Sequence, residues 1–288
     1  MTPHSILIPH DGSPLSGTIV DALAPLLDGG VNVTLLHVVE EGSAGADSLR
    51  RPARSAADGA LDGSALDASE AAVQARGATV TRIERRARDV AAAIVDDVAA
   101  SRPDLVAMTT HGRGGFSRLV RGSVAERVLR ACPAPLWMVN PKTHPTARLA
   151  RILVALDGSE EAERILDVVI PIARRTDARA TLLYVDWDAA TDTPAQAAKR
   201  RGERAGQVRD WLAAALARLE REAVPATLEI ARGDVAGEIL RAADPARFDL
   251  LALSTHGRSG PGRWLLGSIA EQVLGQCRIP VLLTRTAG

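Results

Sequence analysis

The second half of the chain repeats the first. Ser5–Ser13 (SILIPHDGS) matches Arg151–Ser159 (RILVALDGS), and Leu35–Val38 (LLHV) matches Leu182–Val185 (LLYV). Asp104–Val139 matches Asp249–Thr284 with close to half of the positions identical, and all three matches lie at offsets of 145 to 147 residues. A repeat of that size is a domain's worth of chain, so the 288 residues are expected to form two homologous domains rather than one large one. The expected boundaries are 1–141 and 149–288, joined by the polar, proline-containing segment 142–148 (KTHPTAR).

Within each half, short and nearly continuous apolar runs alternate with helical stretches. The runs ILIP, VTLLHVV, TVTRI, LVAMT and LWMV in the first half answer to ILVAL, ATLLYVD, ATLEI, LLALS and VLLT in the second. Such runs suit strands covered on both faces. Helices are expected over Ser16–Leu27, Ala65–Arg76, Asp89–Ala100 and Val124–Ala131, then over Glu160–Arg175, Glu203–Ala223, Val235–Ala243 and Ile269–Gln276. The order predicts an α/β protein of two tandem doubly wound, Rossmann-like domains, each a five-stranded parallel sheet flanked by helices. Gly42–Gly63 is rich in Ala, Gly, Ser and Arg without apolar periodicity and reads as a mobile loop, and its counterpart Ala189–Gly202 differs wholly.

Charge excludes some partners. With 35 basic and 35 acidic residues the net charge is zero, and neither half carries the basic excess that nucleic acid or an anionic membrane would favour. The N-terminus lacks a basic region followed by an apolar run, and nowhere do 18 apolar residues run together, so a cytoplasmic location is expected. Cys132 and Cys277 form no CxxC pair or metal-type cluster and read as small buried hydrophobes.

Ligands of doubly wound sheets sit beyond the carboxyl ends of the strands, which directs attention to the loops after the first and fourth strands. The first carry Asp11-Gly12-Ser13 and Asp157-Gly158-Ser159, a sequence that serves a structural turn as readily as a ligand. After the fourth come Thr109-Thr110-His111-Gly112-Arg113-Gly114-Gly115 and Ser254-Thr255-His256-Gly257-Arg258-Ser259-Gly260. Gly122-Ser123-Val124-Ala125-Glu126 and Gly267-Ser268-Ile269-Ala270-Glu271 then open a helix. The S-x-x-E spacing predicts capping boxes, Ser123 with Glu126 and Ser268 with Glu271. The same helix ends suit a phosphate group, and the residues alone leave phosphate binding and ordinary capping both open.

The segment THGRGG…RGSVAERVL, with its partner STHGRSG…LGSIAEQVL, resembles the universal stress protein family in its tandem form, and the likeness extends over the whole chain. The nucleotide-binding branch of that family carries G-x2-G-x9-G-[ST]. Position by position, its later glycines and hydroxyl fall on Gly112, Gly122 and Ser123 and on Gly257, Gly267 and Ser268, while Thr109 and Ser254 replace the first glycine with small hydroxyl residues. The resemblance implies ATP, possibly with Mg2+ carried on its phosphates rather than on protein side chains. It places Asp11, Asp157, Val38 and Val185 around the adenosine, with Pro9, His10, Ala155 and Leu156 at the end of the first strand. Met108 and Leu253 would end the fourth strand; His111, Arg113, Gly115, His256, Arg258 and Gly260 would lie in the phosphate loops and Val124 and Ile269 at the helix starts. It further implies pairing of the two halves through their last strands, Pro135–Val139 and Pro280–Thr284, although a loop covering each edge would serve as well. A homodimer of such chains and an unidentified regulatory protein partner complete the expectation.

Catalytic readings find little support. No GxxxxGK[ST] occurs, and the two lysines, Lys142 and Lys199, lie elsewhere. No G-x-S-x-G elbow, no zinc-type spacing and no G-x-G-x-x-G after the first strand is present. His111 and His256 read as groups that position the backbone or touch the ligand rather than as general bases. His37 reads as a core residue with one polar tip, and His4, His10 and His144 as solvent-facing, with His10 next to Asp11 and in reach of a ligand. The sequence thus points to a regulatory ATP-binding protein with little or no turnover. A slow ATPase using the same sites and a scaffold without nucleotide are the alternatives.

Overall fold

The computed structural model describes residues 3–41, 64–110, 123–186, 194–255 and 267–285, with backbone alone for 194–205 and 207. The Gly42–Gly63 segment therefore lies outside the described residues. Contacts divide the chain into two compact units, Pro3–Pro141 and Lys142–Gly288.

In the first unit the strands are β1 (Ser5–Pro9), β2 (Asn32–Glu40), β3 (Thr79–Ala87), β4 (Leu105–Thr109) and β5 (Leu136–Val139). They are parallel in the order β3-β2-β1-β4-β5. The chain builds outward from β1 to β3 and returns on the other side, so β1 and β4 are neighbours and the crevice beyond their carboxyl ends is the switch point. The helices are α1 (Pro14–Ala22), α2 (Ser64–Gln74), α3 (Val90–Ser101) and α4 (Ser123–Ala131). Asp89 caps α3 by accepting from the Ala92 amide at 3.0 Å, and Ala91, Ile94 and Val98 bury one face of the helix.

The second unit repeats this with β6 (Arg151–Leu156), β7 (Arg179–Asp186), β8 (Ala226–Arg232), β9 (Leu250–Ser254) and β10 (Val281–Thr284), ordered β8-β7-β6-β9-β10 and again parallel. Its helices are α5 (Glu160–Glu163), α6 (Leu166–Thr176), α7 (Pro194–Arg221), α8 (Val235–Ala242) and α9 (Ser268–Gln276).

The helix expected over Glu203–Ala223 begins earlier, at Pro194, and three further sequence expectations change. The Ser16–Leu27 helix stops at Ala22 and resumes as a single 3-10 turn over Ala24–Leu26. Pro25 is the cause, because it lacks the amide proton that would continue the helical bonding and its ring crowds the carbonyl one turn back. The Glu160–Arg175 helix is split after Glu163, with i to i+3 bonds from the Ile165, Asp167 and Val168 amides tightening the junction. Pro171 takes away the amide that would bond the Asp167 carbonyl. Finally, β3 and β8 are largely exposed rather than covered on both faces. Arg82 and Arg85 of β3 pair with Asp67 and Asp97, and Ile230 of β8 is 59% exposed. In the unit's own order each has a single strand neighbour, and charged edge positions protect such a strand.

A paired device that the sequence reading passed over sets β1 and β6 in place. Asp104, just before β4, uses Oδ2 to accept from the His4 amide, the Ser5 amide and Ser5 Oγ, each at 2.9 Å. Asp249, just before β9, uses Oδ2 to accept from the Ala150 amide at 3.0 Å and the Arg151 amide at 2.9 Å, while its Oδ1 receives Arg151 Nη2 at 2.8 Å. Each carboxylate ties the start of one central strand to the start of its neighbour. The available signal was that each Asp opens the longest repeated block.

Candidate functional site

At the carboxyl end of β1 the Asp-Gly-Ser turn is built from the three residue types in turn. Asp11 Oδ1 accepts from the Ser13 amide at 2.9 Å, closing an Asx turn, and Gly12 adopts φ 78, where a side chain would be strained. Ser13 then caps α1 by accepting from the Ser16 amide at 3.2 Å. The second unit does the same: Asp157 Oδ1 accepts from the Ser159 amide at 3.0 Å and Ser159 Oγ at 2.6 Å, Gly158 has φ 84, and Ser159 caps α5. The structural reading of this sequence holds. It also leaves both carboxylates half-exposed at the crevice.

The fourth-strand side is described at its two ends. Thr255, one residue past β9, donates its amide to the Thr284 carbonyl at 3.0 Å, and its own carbonyl accepts the Gly267 amide at 3.2 Å. That bond brings the start of α9 back to the end of β9. A Cβ built on Gly267 would lie 3.0 Å from the Thr255 carbonyl oxygen, so any side chain there would crowd the backbone. The equivalent Thr110 of the first unit bonds the Val139 carbonyl at 2.8 Å.

The expected capping boxes are not formed as the sequence suggested. Gly267, not Ser268, is the N-cap of α9, with φ −59 and ψ 143, and no side chain caps the helix among the described residues. The bond to Thr255 fixes Gly267 outside the helix, so Ser268 becomes its first residue and sits exposed. In α4 the Glu126 carboxylate receives Arg130 Nη2 at 2.5 Å, one turn further along, instead of reaching back. This draws the negative charge away from the helix start, whose partial positive charge is about half a unit.

The remaining expected site residues fall as follows. Met108, Ala155, Leu156 and Leu253 are buried near the carboxyl ends of β4, β6 and β9; Pro9 is half-buried at the end of β1. Val38 is half-buried and Val185 buried towards the ends of β2 and β7. Val124 and Ile269 are half-buried in the first turns of α4 and α9, where Ser123 is exposed like Ser268. His111, Gly112, Arg113, Gly115, Gly122, His256, Gly257, Arg258 and Gly260 lie outside the described residues.

His10 corrects the sequence reading. It is 2% exposed, not solvent-facing, because its ring is a bonded part of the β1–α1 turn: Nδ1 accepts from the Gly12 amide at 2.9 Å and Nε2 lies 3.0 Å from Ser69 Oγ. His37 is half-buried with Nδ1 2.8 Å from the His10 carbonyl, while His4 and His144 are exposed. Ser16 and Ser69, both buried, complete this network and were not singled out from sequence, because nothing in the spacing of α2 announces a partner for a residue on β1. Cys132 and Cys277 are buried, and burial pushes the Cys277 thiol up to about 11. Among the described residues no group of three His, Cys, Asp or Glu could hold a metal ion, and no helix is long and apolar enough to cross a membrane.

The model of the universal stress protein family matches residues 3–140 and again 149–285. The chain belongs to that family. A universal stress protein of Thermus aquaticus is 34% identical over 139 residues, which are 46% of this chain and 97% of that protein. One of Synechocystis is 28% identical over 176 residues, covering 60% of this chain and 55% of its own length. The crystal structure of a universal stress protein from Archaeoglobus fulgidus superposes with a TM-score of 0.68 over the whole of both chains at 19% identity, a likeness of fold. This universal stress protein therefore carries the family's domain twice, each copy with its Asp turn and its helix start on the same edge of the sheet.

Proposed function

We propose that each unit binds an adenine nucleotide, ATP in the first place, and that the protein is a stress-response regulator with little or no turnover. In this reading the phosphates meet the first-turn amides of α4 and α9 beside Ser123 and Ser268. Asp11 and Asp157 accept from the ribose or base, and Val38 and Val185 line the adenosine. The observation that carries the reading is the start of α9, held at the switch-point crevice by the Gly267–Thr255 bond and without a side-chain cap among the described residues. Backbone amides so placed suit a polyanion. Any Mg2+ would come with the ATP and would neutralise part of the charge on its phosphates. Occupancy is read as a change in conformation or in the binding of a protein partner, in a cytoplasmic chain that pairs with a second copy.

The test uses Ser123→Glu together with Ser268→Glu. Both serines are exposed first-turn residues, so a carboxylate there favours the helix by about 0.3–1 kcal/mol while repelling phosphate from the same amides. Calorimetric titration with ATP and Mg2+ is expected to show at least about tenfold weaker binding, equivalent to about 1.4 kcal/mol, with an unchanged or raised melting temperature. Unaltered affinity in the double variant would refute phosphate binding at these helix ends.

A further inference from the structure

The hydrogen-bond partners of the buried His10 ring define its tautomer. The Gly12 amide donates to Nδ1 at 2.9 Å, so Nδ1 carries no hydrogen and the neutral ring bears its proton on Nε2. That nitrogen donates to Ser69 Oγ at 3.0 Å, and Ser69 passes its own hydrogen to the Ala65 carbonyl at 2.9 Å. Ser16 Oγ, 3.1 Å from Nδ1, has Asp11 Oδ1 at 2.7 Å and the Ser13 carbonyl at 2.8 Å as acceptors for its hydrogen. The ring thus braces the Asp11-Gly12-Ser13 turn from below and is joined to the Asp11 carboxylate through one hydroxyl.

A protonated ring cannot do this. Both nitrogens of an imidazolium donate, so the Gly12 amide would face a second donor in place of its acceptor. The ring is also 2% exposed, which penalises the charge. Asp11 attracts a proton towards the ring, and Ser16 Oγ can accept from a protonated Nδ1 while still donating to Asp11. The Gly12 amide loses its acceptor all the same, so the turn still moves. His37, whose Nδ1 donates to the His10 carbonyl, keeps its bond in either charge state. Asp21 and Asp67, on α1 and α2, pair with Arg76 and Arg82, Glu70 accepts from Gln74 at 3.4 Å, and Glu40 lies exposed at the far end of β2. The second unit has Leu156, Ala162 and Tyr184 where the first has His10, Ser16 and His37.

We infer that neutral His10 is a positioning residue that holds the Asp11 carboxylate at the first unit's nucleotide site, and that its protonation releases the turn, making this site and not its Asp157 counterpart acid-sensitive. The binding half of this inference rests on the nucleotide reading above. The turn itself does not. If the released ring titrates near its ordinary value of about 6.5, the ratio of open to closed turn scales as one plus ten to the power of 6.5 minus pH, about a thirtyfold rise between pH 7.5 and pH 5.0.

Amide hydrogen exchange on the full chain reads this directly. Protection of the Gly12 amide, corrected for intrinsic exchange, is expected to fall about thirtyfold over that interval, while the Ser159 amide of the second unit stays level. In His10→Gln, whose side-chain amide does not titrate, protection at Gly12 becomes independent of pH; His10→Leu, the second unit's residue, serves if the glutamine variant misfolds. Gly12 protection that is flat in the native chain, or that falls equally in the variant, overturns the inference. In a Ser268→Glu background, titration with ATP and Mg2+ is expected to weaken severalfold more from pH 7.5 to pH 5.0 with His10 than with Gln there, a comparison that cancels the nucleotide's own protonation. ATP bound at neither pH overturns the nucleotide reading and the binding half with it, while the exchange result still decides the role of His10.

Discussion

Replacing Asp249 by Ala removes the tie between the starts of β6 and β9 without touching the crevice at their other ends. The carboxylate is 7% exposed and receives the Ala150 and Arg151 amides and the Arg151 guanidinium. Both amides belong to half-buried residues, so water replaces part of what is lost, and about 1 kcal/mol for each is the appropriate end of the range for an orphaned donor. The Arg151 side chain is 36% exposed, which limits the ion pair to about 1 kcal/mol or less. The sum is a loss of about 2–3 kcal/mol, or roughly 8–12 °C at about 4 °C per kcal/mol for a unit of this size. Urea denaturation followed by far-UV circular dichroism, with thermal melts beside it, measures the effect, and Asp249→Asn, which keeps one acceptor oxygen, should lose about half as much. A change below about 0.5 kcal/mol in the alanine variant, the ordinary range for surface substitutions, would refute the argument that this carboxylate anchors the central strands.

Gly267→Ala tests the bond that ties the start of α9 to the end of β9. Its Cβ would crowd the Thr255 carbonyl at 3.0 Å and stretch a bond already at 3.2 Å, but φ −59 and ψ 143 suit alanine, so the loss of about 1 kcal/mol is largely offset by the stiffer unfolded chain. Melting temperature is expected to move by a few degrees at most while exchange at the position 267 amide rises; unchanged exchange would show that the contact does not hold the helix start. In the first unit, burial pushes the Asp104 carboxyl up, but the bonds from the His4 and Ser5 amides and Ser5 Oγ outweigh it and hold the group below its usual range. Its contribution is therefore full above the unfolded value of about 3.9 and is lost as pH falls through the lower folded value. Asp104→Asn should be less stable than the native chain at pH 6 and converge with it towards pH 2 in urea titrations, and parallel curves would contradict the assignment.

Much of the site could be read from residues close together in the chain. Asp11 to Ser13 and Asp157 to Ser159 form their turns from bonds spanning two or three positions, and the repeat identified both copies. The capping boxes failed at a different scale. Whether Ser268 or Gly267 ends up as the cap depends on Thr255, twelve positions before Gly267 in the chain. His10 failed for the same reason: its polarity suggested solvent, and Ser69, 59 positions away on α2, is what makes a buried ring satisfied.

By itself the sequence determined that there are two domains, that each alternates strand and helix, and that an Asp turn and a helix start lie on one edge of each sheet. Those properties follow from hydrophobic period, local turn chemistry and a repeat, all of which act within a few residues of chain or are copied wholesale by duplication. The tertiary structure decided which amide each carboxylate and imidazole meets: Asp104 on Ser5, Asp249 on Arg151, His10 between Gly12 and Ser69, Gly267 on Thr255. A hydrogen bond needs a partner within about 3 Å, and apart from the Gly12 bond only the folding of distant segments onto the same sheet supplies one.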